Sequence, residues 1–530
     1  MKTPLLRLLQ GAGLSCGALV VGVAFGLFLT PYMLTCLGDR AYGVFALASV
    51  FAGWCGLLDF GLTTTTSRYI TRYYVKGDQV GVNETGSTAI VLFGGISALV
   101  FLLACGAFGL ASLFGDRFDE TGLLGAALFF AGASFAVSKI SDGVCGVLKG
   151  ALRQELTGGT VFIFRILFGL VNFAILFLGG RLIALFVGNL VLTILQLCVY
   201  ILLTRRAVPS FRFSFSSFRK KRVRSLFRYS FFAFLAQAGE IAVNRSDLII
   251  IAALMSMADV ARYNLVVVTL VSYFNSFLYE TSSWETNWFA RLAAFETTEE
   301  DALEQGTSPQ TTPGQARLSD AFYESRSAIT RASIYGSVFM AFGLLMFGRP
   351  FIERWIGAEY LDAFPALALC GVAAGLYRGS AETNARLLQG VARHRVLAVG
   401  AMLHGLLNVA LSVLFVRLGL GLLGVALGTV LPGLAIHYFW IPNATCRLIG
   451  EKKRVYWARQ IKTTVVAVAA TILPGWIVLR FAAPEYWRLA ILAVVSFCLY
   501  VATVYAFGLT RDERLSAKAL LLRRFARDRE

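Results

Sequence analysis

Charge is scarce in this sequence. Only 15% of its 530 residues are Asp, Glu, Lys or Arg, while 57% are apolar. A soluble domain carries about 25% charged residues, so the string of soluble domains that the length alone would suggest is excluded. Paired cysteines are missing too. Cys16, Cys36, Cys55, Cys105, Cys145, Cys198, Cys370, Cys446 and Cys498 stand singly, in or beside apolar segments. With no C-x-x-C or other metal-ligand spacing, they read as small core residues. There is no Gly-rich nucleotide loop, which argues against an ATP-driven pump and leaves an ion gradient or the substrate's own gradient as the source of energy. Histidine is rare, and His404 and His437 lie singly in apolar helices, where packing and hydrogen bonding are their ordinary lot.

What the chain does have is apolar runs of roughly 20 residues, the length that crosses about 30 Å of hydrocarbon as a helix. About 14 such runs fall at 9–35, 41–62, 87–114, 121–147, 159–179, 182–203, 229–254, 259–285, 332–349, 363–384, 396–416, 420–443, 463–480 and 488–508. The expected fold class is therefore all-α: a polytopic membrane protein. The first run follows Lys2 and Arg7, is too long for a signal-peptide core and lacks a small-residue cleavage site, so it is expected to be retained. The formal net charge of +18 would suggest nucleic acid in a soluble protein. Here it fits positive residues marking the cytoplasmic side, and no nucleic-acid partner is expected. Roughly 36 of the 49 Lys and Arg fall on one side of the expected topology and about nine on the other, which puts both termini in the cytoplasm. The outer loops are short: Cys36–Arg40, Gly115–Glu120, Gly180–Arg181 and Ser256–Ala258, with only Arg349–Asp362 longer. They leave no room for an external catalytic domain, which argues against a membrane polymerase or ligase and against an enzyme in general.

An internal repeat organises the chain. Ser134–Arg153 places Lys139 and Asp142 in an apolar segment and closes with Leu148-Lys149-Gly150-x-x-Arg153. Ala374–Arg393 places Arg378 and Glu382 in another and closes with Leu388-Gln389-Gly390-x-x-Arg393. A shift of roughly 240 positions superposes Asp142 on Glu382, Gly150 on Gly390, Arg153 on Arg393 and Gly188 on Gly428. A shift of roughly 221 brings Tyr42 onto Tyr263 and Asp59 onto Glu280, the difference being an insertion in the loop after the eighth span. The reading is two parallel six-helix bundles, 1–203 and 229–443, joined by a basic linker at 204–228 and followed at 444–530 by two extra helices and a basic tail. The linker, rich in Arg, Lys and Phe, suits topogenic charge or a surface helix on anionic lipid. The stretch 291–325 is polar, acidic and punctuated by Pro and Gly, as in a cytosolic loop.

Ionisable residues inside spans cost about 2.5–3.5 kcal/mol each on insertion scales, so they face protein or water. Gln237, Glu240, Asn244 and Asp247 share one face of the seventh span, with Arg245 in the same helix. Ser276, Glu280, Ser283 and Asn287 make a similar stripe in the eighth. Arg378, Glu382 and Arg386 are stacked in the tenth, and Ser134, Ser138, Asp142, Cys145 and Lys149 share a face of the fourth. Arg165 stands alone in the fifth. Such stripes imply a wet cavity between the halves. Lys139, Arg165, Arg245 and Arg378 suit phosphate oxygens; Asp59, Asp142, Glu240, Asp247, Glu280 and Glu382 suit gating or exchange of H⁺ or Na⁺, with no other cofactor expected. Lys139–Asp142, Arg378–Glu382 and Glu382–Arg386 are also spaced as intrahelical ion pairs, which would be purely structural. Gly13-x-x-x-Gly17 and Gly22-x-x-x-Gly26 are helix-packing spacings.

Thr30-Pro31-Tyr32, Leu37-Gly38, Tyr42-Gly43 and Leu58-Asp59-Phe60-Gly61-Leu62 resemble the opening of the Wzx-type polysaccharide flippases, in the superfamily that also holds MATE-type exporters and lipid II flippases. Arg245-Ser246-Asp247-Leu248-Ile249-Ile250 with Tyr263 is similar to that family's seventh helix. Leu388-Gln389-Gly390, Asn408 and Gly421-x-x-Gly424-Val425-Ala426-Leu427-Gly428-Thr429 are similar to its tenth to twelfth. The eighth span, ending SFLYETSSWETNWFARL, is more acidic and aromatic than the family pattern. The resemblance implies alternating access around a cationic lumen in a bacterial cytoplasmic membrane. The cargo would be an undecaprenyl-diphosphate-linked oligosaccharide moved to the outer leaflet, with membrane lipids and glycan polymerase or other polysaccharide assembly proteins as partners. The alternative is an ion-coupled multidrug or metabolite antiporter of the same fold.

Overall fold

Backbone amides in hydrocarbon have no water to bond, so the apolar runs close their hydrogen bonds within helices. The computed structural model describes residues 2–59, 62–113, 121–282, 320–390, 393–481, 485–509 and 514, and no strand occurs among them. In order the helices are α1 (Lys2–Cys55), α2 (Leu62–Val75), α3 (Gln79–Leu113), α4 (Thr121–Gly150), α5 (Gln154–Phe177), α6 (Leu182–Ala207), α7 (Lys220–Leu254), α8 (Met257–Tyr263), α9 (Leu270–Ser282), α10 (Asp320–Trp355), α11 (Phe364–Gly390), α12 (His394–Arg417), α13 (Gly421–Gly433), α14 (Ile441–Ile449), α15 (Lys453–Phe481) and α16 (Tyr486–Thr503). Eleven helices among the described residues are long and apolar enough to cross a membrane. Large apolar side chains such as Leu178, Leu406, Ile472 and Leu479 are exposed along them, as lipid-facing surface requires. The protein is a polytopic all-α membrane protein.

Several boundaries differ from the sequence reading. The first two expected spans are one helical run, Gly17–Asp59, interrupted at Gly38 by a non-helical backbone (φ 77°, ψ 166°). The seventh and eighth are not among the eleven. α7 carries Glu240, Arg245 and Asp247, and the eighth is divided into α8 and α9 by a wide π-helical turn at Asn264–Thr269. Thr63–Val75, read as part of a turn, is the amphipathic helix α2. Residues 320–325, read as the end of a loop, are the first turns of α10, while 291–319 lie outside the described residues.

The chain forms two compact units, Met1–Asn264 and Leu265–Glu530. In the first, the segment before Gly38 runs alongside α5 in the same direction. Gly17 faces Phe162, Gly22 faces Arg165, Phe25 faces Gly169, and Tyr32 lies beside Phe173. The segment after Gly38 runs with α4, with Phe51 against Gly132 and Gly56 against Phe135. α4 and α5 are joined by a tight turn at Ala151–Arg153, so the chain reverses direction at Gly38. The basic linker is tied down on α3. Ser214 N–H donates to Ser87 Oγ at 3.2 Å, Arg212 N–H to Asn83 Oδ1 at 3.1 Å, and the Arg219 guanidinium pairs with Glu84 at 3.1 Å. In the second unit α10 packs on α11, α15 and α16. Ile334, Val338, Ala467, Ala470 and Tyr500 form a buried cluster there, and the Tyr500 hydroxyl donates to the Tyr335 carbonyl at 2.9 Å.

The repeat is visible in backbone geometry. Arg153 caps α5 with φ −102°, ψ 49°, and Arg393 caps α12 with φ −94°, ψ 48°. Each donates its amide to the carbonyl five residues back, Leu148 at 3.0 Å and Leu388 at 2.8 Å. The two helices also end alike: Leu178 and Leu418 close them, and Gly179 and Gly419 follow at φ +80° and +86°. In each turn the glycine and the next residue return their amides to the last turn of the helix. Nothing lies within 4 Å of a Cβ added at Gly179 or Gly419. Gly179→Ala and Gly419→Ala therefore meet only the left-handed backbone cost, roughly 1–2 kcal/mol each. Thermal melts in detergent should show equal losses for the two, with Gly94→Ala, a helical site with open space around it, unaffected. A loss at one turn alone would break the equivalence.

Candidate functional site

In the first unit two arginines are seated on glycines of α1. A Cβ at Gly22 would lie 3.1 Å from Arg165 Nε, and one at Gly53 would lie 3.2 Å from Arg245 Nε. Both glycines lie about 15 residues from the reversal at Gly38, hence roughly 23 Å along the helix from it and at a common level. Arg165 comes from α5 and is exposed; Arg245 comes from α7 and is half-buried. Gly22, expected only to pack helices, also makes room for a guanidinium. Any larger side chain at either position would displace the arginine stem.

On α4, Lys139 is 8% exposed. Its Nζ lies 2.6 Å from Asp142 Oδ2 and 4.9 Å from the centroid of the Phe135 ring. The Asp142 side chain is 37% exposed, so the acid rather than the lysine faces open space. The intrahelical pair expected from the spacing is formed. On α7, Asp247 is buried and accepts from the Tyr263 hydroxyl at 3.2 Å. Glu240 is exposed on the same helix, and its carbonyl accepts from the Asn244 amide at 2.8 Å. Asp59 is half-buried in the short 3₁₀ turn Gly56–Asp59. The Glu280 side chain, with Ser283, Glu285 and Asn287, lies outside the described residues.

In the second unit Glu382 pairs with Arg386 at 2.6 Å, one turn along α11. Arg386 also donates to Gln389 Oε1 at 3.3 Å. Arg378 is half-buried on the same helix, with its guanidinium 5.7 Å from the Tyr377 ring centroid. The two histidines are packed, as expected, and against each other: His404 Nδ1 and His437 Nε2 are 3.0 Å apart. His404 Nε2 is 3.0 Å from the Thr429 carbonyl. A carbonyl only accepts, so in the neutral pair His404 carries its proton on Nε2 and His437 donates from its own Nε2.

One cluster was not anticipated. Arg326 on α10 pairs with Glu451, donates to Asn384 Oδ1 at 2.8 Å, and lies 4.8 Å from the Tyr456 ring centroid. Asn384 donates to the Tyr456 hydroxyl at 3.1 Å, and Gln460 donates to Ser380 Oγ at 2.9 Å. Arg326 borders a stretch read as loop, and Glu451 lies between the twelfth and thirteenth expected spans. The periodic Tyr456, Gln460 and Thr463 were the legible signal, one face of a helix that enters the membrane.

Residues 8–279 match the family described as "Polysaccharide biosynthesis protein". The chain is 28% identical over 258 residues to the "Probable flippase AglR" of Haloferax volcanii, spanning 48% of this chain and about half the length (50%) of that relative. Among solved structures, an inward-facing multidrug resistance MATE family transporter of the MOP superfamily is similar with a TM-score of 0.63 at 14% identity, over 84% of this chain and 98% of that one. The lipid II flippase MurJ in an inward closed conformation gives 0.58 at 16% identity, over 93% and 98%. A MOP superfamily transporter from Pyrococcus furiosus also gives 0.58, at 14% identity, over 84% and 96%. At these identities the solved structures share the fold with this chain. The match over more than half of its length places the chain in the polysaccharide biosynthesis protein family, the Wzx-like group that its opening motifs resemble.

Proposed function

We propose that the protein is a membrane flippase that moves a lipid-linked oligosaccharide across the bilayer and has no enzymatic step. The observation that carries this reading is the pair of arginines seated on Gly22 and Gly53 within the family segment. Two guanidinium groups seated on one helix suit a diphosphate, because charge-assisted bonds to phosphate oxygens are strong and frequently bidentate. AglR, named a probable flippase, supports flipping as the activity, and the fold is shared with MurJ, named a lipid II flippase. The finer reading is an undecaprenyl-diphosphate glycan carried from the cytoplasmic to the outer leaflet of a bacterial cytoplasmic membrane, with both termini inside and by alternating access. On this reading 1–203 and 229–443 are the repeated bundles, and glycan polymerase or other assembly proteins receive the product. Arg165, Arg245, Lys139 and Arg378 hold the anionic head. Asp59, Asp142, Glu240, Asp247, Glu280 and Glu382 are the groups through which H⁺ or Na⁺ would act.

Proteoliposomes carrying the purified protein and a labelled undecaprenyl-diphosphate oligosaccharide test this. Protein-dependent exposure of the glycan to a glycosidase added on the far side is expected. Failure with several glycans, together with gradient-driven efflux of an organic cation, would transfer the reading to an antiporter, for which the MATE-like fold is equally suited.

Charge removal separates binding from scaffolding. Arg245→Ala should slow transport by about tenfold or more, the effect of losing about 1.4 kcal/mol of phosphate binding, at unchanged folded yield. The Lys139–Asp142 pair decides its own role. If Lys139 grips phosphate, Asp142→Asn remains active and Lys139→Ala with Asp142→Asn remains slow. If the pair is only structural, the double neutral variant recovers what either single change lost.

A further inference from the structure

The cavity at the start of α10 and α15 has chemistry that the transport reading does not use. It is a small, open-mouthed space of about 20 Å³, lined among others by Arg326, Thr330, Arg331, Glu451, Gln460 and Thr463. With Arg459 at its rim, three guanidinium groups line it against the single carboxylate of Glu451. Arg326 neutralises that carboxylate directly. Arg331 donates to Ser327 Oγ at 2.9 Å, which holds its guanidinium along α10 on the cavity wall. The lining therefore carries net positive charge in a space bounded by hydroxyls.

The buried polar atoms on the wall with no hydrogen-bond partner among the described residues include Arg326 Nε, a donor, and Gln460 Oε1, an acceptor. Both residues are 2% exposed. Orphans of this kind are costly unless something fills them, because each loses its water without a replacement. The other ends of these side chains are already fixed, Arg326 by Glu451 and Asn384 and Gln460 by Ser380. A guest that offers acceptor oxygens together with a hydroxyl proton would satisfy both orphans at once. Phosphate oxygens beside a hydroxyl meet that description, and the excess guanidinium charge selects for the anion. The site also lies at the polar ends of α10 and α15, with Arg454, Arg459 and Lys462 in the first turns of α15, and basic pockets between transmembrane helices are suited to anionic headgroups.

We propose that this cavity is a phosphate-binding site, taking either the phosphate of an anionic lipid headgroup or a free phosphate ion. It lies wholly within the second unit and stands whether or not the chain flips glycolipids.

The test uses the purified full chain in detergent. Native mass spectrometry would compare retention of phosphatidylglycerol with that of phosphatidylcholine. Thermal melts would compare sodium phosphate with sodium chloride at equal ionic strength. Preferential retention of phosphatidylglycerol assigns the site to lipid; a phosphate-specific rise in melting temperature without it assigns the site to the free ion. In either arm Arg459→Gln, Arg331→Gln and Gln460→Glu should weaken binding by about tenfold, the size of one lost charge-assisted hydrogen bond. Gln460→Glu keeps the shape and every arginine and adds a carboxylate to the wall, so its loss reads the anionic character of the guest. Arg454→Gln removes an exposed cation that does not line the cavity and should leave binding unchanged. The proposal is overturned if neither ligand binds above its control, if the three cavity variants bind like the parent, or if Arg454→Gln weakens binding as much as they do. Ligand-free melting profiles identify any variant that fails to fold; Arg459 is exposed, so its variant keeps the test open.

Discussion

A charge inside hydrocarbon must find its counterpart within the protein or reach water, and this chain meets that requirement in three ways. Lys139 and Arg386 are neutralised within their own helices, each by an acid one turn away. Arg326 reaches across helices to Glu451, with Asn384 and Tyr456 completing its surroundings. Arg165 and Arg245 use the third way, lying against glycines whose missing side chains leave room for Nε and the neighbouring stem carbon. The third way leaves the charge available. Direct intrahelical pairing spends most of it, which is why the seated arginines, rather than Lys139, carry the functional reading.

The repeat duplicates the scaffold and redistributes the charge. Asp142 and Glu382 occupy equivalent positions, as do the caps Arg153 and Arg393. The cations that pair with the acids do not. Lys139 lies one turn before its acid and Arg386 one turn after. The position equivalent to Lys139 is Gly379, and the position equivalent to Arg386 is Gly146. Both glycines are packed, Gly379 against Ser333 and Gly146 against Thr66. Each copy therefore uses for helix packing the site that the other uses for charge. The acid stays at one level, and the two cations lie about two turns apart, roughly 10 Å along the helix axis. Two copies of one fold thus present different fields.

The helices were legible because hydropathy and length are strong signals in lipid, and the Gly150/Gly390 turns because charged, glycine and arginine positions recur at one shift. Boundaries were harder to read wherever a helix continues past the hydrocarbon. α10 starts at Asp320 and α7 at Lys220, since polar residues end a hydropathy run without ending a helix. The ion pairs within α4 and α11 were legible because intrahelical spacing fixes the distance. The glycine seats were not, because a small-residue spacing does not say which side chain will lie on it. His404 with His437, and Arg326 with Glu451, join residues 33 and 125 positions apart, and no local period announces such a pairing.

The histidine pair shows how far the same constraint reaches. α13 contains Pro432, which supplies no amide, and the helix then widens into the π-helical turn Leu434–Trp440 that carries His437. A ladder that changes its spacing leaves backbone groups in want of partners, and in hydrocarbon these must come from side chains. His404 donates from Nε2 to the Thr429 carbonyl, three residues before the proline. With that proton committed, its Nδ1 can only accept, and His437 turns its Nε2–H toward it. Tyr377 stacks on the other face of the arrangement, 5.9 Å from the His437 ring. The nearby polar knot of Asn408, Ser412 and Thr429 extends the same bonding between α12 and α13. The two histidines thus bond one another beside an irregularity in the backbone. Their tautomers are set by the Thr429 carbonyl, which can only accept, and their conformation belongs to the scaffold of the second unit.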